Sequence, residues 1–492
     1  MAAVKSTAET VPATKLAGEK PVRARHLIDG EWVDTAEHVR TVDPYRGGVV
    51  TEVAVGTAEL VDRAATAAAA AAPAVAALPG HRRAAILRTV ADLIEQRADE
   101  IGRLMSRETG KAVKDAVAEV RRSQDTVRLS AEEAVRIEGE QVPLDSSDMG
   151  AGKLAFLLRV PVGVVGAITP FNAPFNLACH KLAPALAAGN AVVWKTPPQA
   201  AGVAQLLTEL FVDAGVPAGA LNVVHGDAQV GRAVVADPRV AFVTFTGSSP
   251  AGTAIKAESG LRRVALELGG NGQTIVHADA DLDTAAPMCA RNAMRLAGQS
   301  CISVQSVLVH RSVYEPFLAK LCAEVEKLQV GDPLDPATDV GTLIDENAAR
   351  RVESWTEAAR TAGARLITGG GRDGAQLRPT VLADVTPEMQ VFCDEVFGPL
   401  LNVVAYDDLD EAFRLINSSE FGLQAGIFTA SNTVTMRAIR ELRTGGVVIN
   451  GTSTWRTDQL AYGGVKASGI GREGPKYAIR DMTDQRLVIF NM

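Results

Sequence analysis

At 492 residues the chain is too long for one ordinary core, so two or three domains are expected. Hydrophobic residues make up 47% and charged residues 22%, the net charge is −8, and no basic block occurs, which excludes a disordered chain and argues against a nucleic-acid partner. The five cysteines (Cys179, Cys289, Cys301, Cys322, Cys393) form no C-x-x-C pair and the seven histidines no ligand spacing, so neither a disulfide framework nor a metal site is expected, and a reducing, cytoplasmic compartment is.

In chain order, Met1 to Lys20 lacks an apolar h-region and reads as part of a mobile tail, not a signal peptide. Leu27 to Val33 reads as a hairpin turning at Asp29-Gly30, and Asp43-Pro44 as a further turn. The alanine run Ala64 to Pro79, interrupted by Pro73, reads as a packed helix and not a membrane span, so no membrane partner is expected. Ile86, Val90, Leu93 and Ile94 share one face of a helix from about Gly80, and another helix starts near Lys114. Strands Val162–Thr169, Ala191–Lys195, Leu221–His225 and Val240–Phe245 alternate with helices Asn172–Ala188, Ala200–Ala214 and Ala228–Ala236. That alternation predicts an α/β fold with a doubly wound parallel sheet and a ligand at its carboxyl edge.

A second α/β region follows Gly270. It begins with an acidic turn, Asp279 to Asp283, then a helix Thr284–Ala297, a strand Ser306–His310 and a helix Val313–Leu328. Gly369 to Gly374 reads as a loop with no strand before it. Further strands are expected at Val403–Tyr406, Ala425–Thr429 and Val447–Asn450, and Leu487–Phe490 reads as a terminal apolar strand in need of a pairing partner.

The chemistry concentrates between Leu266 and Cys301. Glu267 sits in an apolar frame before Gly269-Gly270, and Cys301 follows Gly298-Gln299-Ser300. A buried carboxyl has its pKa raised toward the range of a general base, and a thiol attacks a carbonyl only as thiolate. The pair reads as acyl chemistry. A lone Cys is otherwise a small buried hydrophobe, and a lone Glu the end of a strand. Phe245-Thr246-Gly247-Ser248-Ser249-Pro250-Ala251-Gly252 reads as a strand-to-helix turn whose N–H groups can hold a phosphate; it is neither G-x-G-x-x-G nor a P-loop.

Seven motifs occur in one order: Phe171-Asn172-Ala173-Pro174, Trp194-Lys195-Thr196-Pro197, Phe245-Thr246-Gly247-Ser248, Leu266-Glu267-Leu268-Gly269-Gly270, Gly298-Gln299-Ser300-Cys301, Glu395-Val396-Phe397-Gly398-Pro399 and Tyr462-Gly463-Gly464-Val465-Lys466-Ala467-Ser468-Gly469. From about Ile28 to the C-terminus the chain resembles the aldehyde dehydrogenase superfamily. The resemblance implies oxidation of an aldehyde to an acid with NAD or NADP and water. It implies Cys301 as nucleophile, Asn172 and the Cys301 N–H as oxyanion donors, Glu267 as base for hydrolysis of the thioester, and Lys181 and Glu473 on the proton path. For the cofactor it implies Thr169, Pro170, Phe171, Lys195, Gly231, Phe245, Thr246, Gly247, Ser248, Gly252, Leu268, Gly269, Glu395 and Phe397.

The resemblance also implies an organisation: a tail at 1–24, a Rossmann-like dinucleotide-binding domain at 25–145 and 161–268, a catalytic domain at 269–474, and a small β oligomerisation arm at 146–160 and 475–492 that makes a homodimer or homotetramer. One departure is Pro198, where strict NAD enzymes of the family commonly carry an acid, so NADP should be tolerated. Residues implied at the substrate tunnel are Asn176, His180, Ile302, Trp455, Arg456 and Tyr462. Arg456 suggests a small polar or anionic aldehyde, and the segment around it resembles the lactaldehyde and phosphonoacetaldehyde dehydrogenase branch. The alternative is that Arg456 pairs with Asp458 and faces away. Two rival readings are a CoA-acylating semialdehyde dehydrogenase, which tends to lack the Glu267 equivalent, and a catalytically silent binding homologue.

Overall fold

The structure, a computed structural model, describes residues 20–492. Residues 1–19 of the expected tail lie outside the described residues. Its last residues are ordered: Val22–Ala24 is a strand that pairs in parallel with Val49–Ala54.

Two large sheets organise the chain. The first has eight strands, and its five inner ones (Arg263–Glu267, Phe242–Thr246, Val164–Ile168, Ala191–Lys195, Leu221–Val224, in spatial order) are parallel. They are β-branched and buried on both faces, as strands covered by helices on both sides must be. The order reverses between Val164–Ile168 and Phe242–Thr246, and that switch point opens a crevice at the carboxyl ends of the two strands. The hairpin His26–Ile28/Glu31–Val33 closes one edge and Gly469–Ile470 the other, both antiparallel.

The second sheet runs Arg365–Thr368, Thr380–Ala383, Leu400–Tyr406, Ser306–His310, Gln273–Val276, Gln424–Phe428, Gly446–Ile449. All are parallel except the edge strand Arg365–Thr368. That edge strand corrects one expectation, because it leads directly into Gly369-Gly370-Gly371. No helix follows these glycines; they lead to the two-stranded ribbon Arg372–Asp373/Gln376–Leu377, so they form no phosphate cradle.

The alanine-rich helix spans Ala58–Ala77 and runs through Pro73 without ending there. By length and composition alone it could cross a membrane, yet its stripe of Leu60, Val61, Ala64, Ala65 and Ala68 is buried with the first sheet's Val193 and Val224. The C-terminal strand Thr483–Asn491 pairs along its length with Lys153–Pro161, which also carries Glu140–Val142.

Two of the helix boundaries that differ from expectation matter for the site. The helix expected from Asn172 starts at Pro174. A residue before proline is pushed out of the helical region, and Ala173 has φ −137°, so Asn172 lies on the loop. The helix expected to reach Ala297 ends at Met294. Leu296, Ala297 and Gly298 all take left-handed φ values (57°, 50° and 70°), which breaks the helix and turns the chain toward Cys301.

Candidate active site

Glu267 ends its strand in the first sheet, and Leu268-Gly269-Gly270 carries the chain across to the second. Cys301 lies just before the second sheet's strand Ser306–His310, and the Glu267 charge acts on its thiol. A Cβ on Gly298 would come 1.9 Å from the Gly398 carbonyl oxygen, so only glycine lets the Cys301 loop lie against the Glu395–Pro399 loop. A Cβ on Gly269 would likewise come 2.5 Å from Glu395 Oε2, while the Gly270 N–H donates to Glu395 Oε1 at 3.0 Å.

The Asn172 amide donates one hydrogen to the Gln299 carbonyl at 3.0 Å, and Gln299 in turn accepts from the Ile344 N–H at 2.9 Å. The second amide hydrogen is left for a ligand. The helix that begins two residues after Asn172 is held by Glu119, whose Oε1 accepts from the Phe175 and Asn176 N–H groups at 3.1 Å each and whose carboxylate also pairs with Lys111.

Cys301 is only partly enclosed, and its sulfur lies 3.3 Å from the Tyr462 hydroxyl. Burial pushes the thiol up to about 12; the Tyr462 hydrogen bond and Arg456 oppose the rise, and Glu395 and Glu267 add to it. Both oxygens of Glu267 are buried without a hydrogen-bond partner among the described residues. Burial, with the Glu473 charge second, holds the Glu267 carboxyl well above its ordinary range, against Lys181, Arg456 and Arg472. Glu473 goes the other way. Burial favours its neutral form, but Lys181, Arg456 and His180 keep it ionised, with Lys181 Nζ at 2.9 Å and Arg456 Nη2 at 2.9 Å. Two buried carboxyls thus have pKa values pushed apart, the pattern that separates a group protonated at rest from one ionised at rest.

Arg456 faces inward. It does not pair with Asp458; besides Glu473 it meets His180 Nε2 at 3.1 Å, and its guanidinium carbon lies 3.8 Å from the centroid of the Tyr462 ring. Asp458 instead binds His180 at 3.1 Å and Arg122 at 2.6 Å. Ile302 packs with Tyr462 and Cys301. Asn176 is turned aside: its amide donates to the Ser123 and Thr126 hydroxyls at 3.2 Å each. Trp455 is 57% exposed, on the surface. Sequence reasoning passed over Glu119 and Arg122, because on one helix they read as ordinary surface charges; their partners lie 56 and 336 positions away.

The implied dinucleotide fits this chain. Thr169, Pro170 and Phe171 follow the strand Val164–Ile168 on one side of the switch point, and Phe245, Thr246, Gly247 and Ser248 close the other. The Thr246 hydroxyl is buried without a partner among the described residues. Ser248 stands at the N-cap position of the helix Ser249–Glu258 without a side-chain cap bond, the first-turn Ser249 and Ala251 N–H groups have no partner within the helix, and Gly252 packs on Leu268. Gly231 lies in the helix Ala228–Ala236, and a Cβ there would meet only Ile168, at 3.9 Å, so there is room beside this second helix. Burial brings Lys195 down to about 8, with Asp227 opposing. Phe397, at φ +49°, stands edge-on to Phe171 with centroids 6.2 Å apart, and burial lifts Glu395 beside it to about 7 against the Gly270 N–H and Arg351.

A sequence profile described as the aldehyde dehydrogenase family matches residues 32–488. The 3-sulfolactaldehyde dehydrogenase of Priestia aryabhattai is 44% identical over 470 residues, 94% of this chain and 97% of that protein. The crystal structure of aldehyde dehydrogenase 21 from Physcomitrella patens in complex with the reaction product succinate has a TM-score of 0.94 at 36% identity, covering 96% of this chain and 99% of that one. That of the NADP-dependent glyceraldehyde-3-phosphate dehydrogenase from Bacillus halodurans complexed with NADP has 0.93 at 37%, covering 95% and 99%. The chain belongs to the aldehyde dehydrogenase family.

Proposed function

We propose that this protein oxidises a small polar or anionic aldehyde to its carboxylic acid, using NAD or NADP and water. The observation that carries the reading is the Glu267 carboxyl, buried with both oxygens unpartnered among the described residues and close enough for its charge to act on the Cys301 thiol. Cys301 loses its thiol proton to water, and the thiolate adds to the aldehyde carbon, forming a thiohemiacetal oxyanion. The free hydrogen of the Asn172 amide and the Cys301 N–H stabilise its oxyanion. The nicotinamide, when bound, supplies the hydride acceptor that turns the thiohemiacetal into a thioester. Glu267, once deprotonated, takes a proton from water, which attacks the thioester; the acid leaves and the thiol returns. Lys181 and Glu473 carry the Glu267 proton outward. Glu395 orients the nicotinamide ribose, with the Phe171–Phe397 corner beside it, and Lys195 binds the adenosine ribose.

Arg456 supports the anionic substrate, since a buried guanidinium next in sequence to surface Trp455 suits a charged tail. The names of the relatives, acting on sulfolactaldehyde and glyceraldehyde 3-phosphate, favour the same chemistry. Residues 25–145 and 161–268 would hold the cofactor and 269–474 the reacting thiol. The three-stranded arm, with Leu154, Leu158, Leu487, Ile489 and Phe490 exposed, would join copies into dimers or tetramers in the cytoplasm.

The test is an aldehyde panel run with NAD⁺ and NADP⁺ in parallel, with and without CoA. Acid and reduced nicotinamide in equal amounts support the reading. Acyl-CoA as the main product would replace it with the acylating one, and no reduced nicotinamide with any aldehyde would leave a silent homologue.

A further inference from the structure

Tyr462 is 6% exposed, and its hydroxyl lies 3.3 Å from the Cys301 sulfur. The other charged groups acting on that sulfur are Glu395 and Glu267, both acidic, and Arg456. Ile302 and Leu423 complete an apolar wall. A thiolate formed here has two acidic groups and hydrocarbon around it against one guanidinium, and the side-chain hydrogen-bond donor it meets among the described residues is the Tyr462 hydroxyl. Between a neutral thiol and a phenol either atom can donate, but once the sulfur is ionised only the phenol can. Arg456 stacks on the phenol ring and is itself anchored by Glu473. A cation on the ring face draws electron density from it, which makes the hydroxyl a stronger donor.

Resting on the assignment of Cys301 as nucleophile, we propose that Tyr462 is a catalytic residue of this enzyme: its hydroxyl donates a hydrogen bond to the Cys301 sulfur and stabilises the attacking thiolate. Arg456 acts as its positioning residue. No proton leaves the phenol; the O–H bond stays intact while the sulfur carries the charge. The same bond serves twice, because the sulfur is again a thiolate when it departs from the thioester during hydrolysis.

The test is Tyr462→Phe in the full chain, which removes one oxygen and keeps the ring. Alkylation of Cys301 by iodoacetamide is followed across pH by peptide mass spectrometry, which separates it from exposed Cys393. Thiolate stabilisation predicts a midpoint about one pH unit more alkaline and alkylation about tenfold slower at pH 8. The pH profile of kcat/KM should move with it. A merely structural tyrosine would change Tm and leave the midpoint in place, and that result overturns the proposal. Arg456→Met, which keeps bulk and removes charge, is expected to move the midpoint the same way by less, and its failure to do so overturns the positioning role. Cys301→Ala is the separate control: dehydrogenase activity surviving in it would remove the nucleophile assignment itself, whatever Tyr462→Phe does.

Discussion

Asn172 holds the Gln299 carbonyl at 3.0 Å, two residues before Cys301, and so ties the carboxyl edge of the first sheet to the nucleophile loop of the second. The tie depends on Pro174, which keeps Asn172 out of the helix, and on Glu119, which fixes the first turn of that helix. Asn172→Ala removes the proposed oxyanion donor and this anchor together. It should lower kcat by roughly 10²–10³ with a smaller change in KM. Steady-state kinetics on any accepted aldehyde checks this; a loss under about tenfold would show that the amide does not meet the oxyanion.

Glu267→Gln separates the two halves of the reaction. Hydride transfer does not need the carboxylate, so a stopped-flow burst of reduced nicotinamide should survive. Steady turnover should fall by about 10²–10⁴, the usual share of a general base. In the unmutated protein burial keeps Glu267 protonated beyond the ordinary carboxyl range. The base form gains population only as pH rises through that raised pKa, so the hydrolytic rate should increase with pH and not decrease.

Glu395 offers a stability test with a worked sign. Its pKa is raised from 4.5 to about 7 by burial, so the folded protein holds this proton more tightly than the unfolded chain. The resulting stability is fully present below pH 4.5 and is lost as pH rises through about 7. Glu395→Gln, which can still accept from Gly270, should gain about 1–3 kcal/mol over the unmutated protein at pH 8 and little at pH 4. Thermal melts at the two pH values measure it. The same variant should raise the KM for the cofactor if the carboxyl grips the ribose.

Arg456→Ala should lower kcat/KM for anionic aldehydes by roughly 10²-fold more than for a neutral aldehyde of the same size. The neutral substrate corrects for the packing lost on Tyr462. Equal losses on both substrates would mean that the guanidinium serves Glu473 and Tyr462 and not the substrate.

Pro198 places no carboxylate three residues after Lys195, so a 2′-phosphate should meet no repulsion from that position. The ratio of kcat/KM for NAD⁺ and NADP⁺ should stay within about 10³-fold, or about 4 kcal/mol. A larger bias against NADP⁺ would point to another acid, and Asp227, which acts on the Lys195 ammonium, is the residue to change next.

By itself the sequence determined the alternation of strands and helices, the parallel sheet, and the motifs that carry Cys301, Glu267 and Asn172. These are local: β-branched runs, glycine turns and a proline each act within a few residues of themselves. Only the tertiary structure decided which buried charges meet. Arg456 goes to Glu473 and Tyr462 and not to Asp458, Asp458 goes to Arg122 and His180, and Asn176 turns to Ser123 and Thr126. The left-handed run at Leu296, Ala297 and Gly298 was hidden for the same reason, since Leu and Ala carry no local preference for it. A charged side chain finds its partner through packing, whether that partner lies 17 or 336 positions away, and no period or spacing along the chain encodes that meeting.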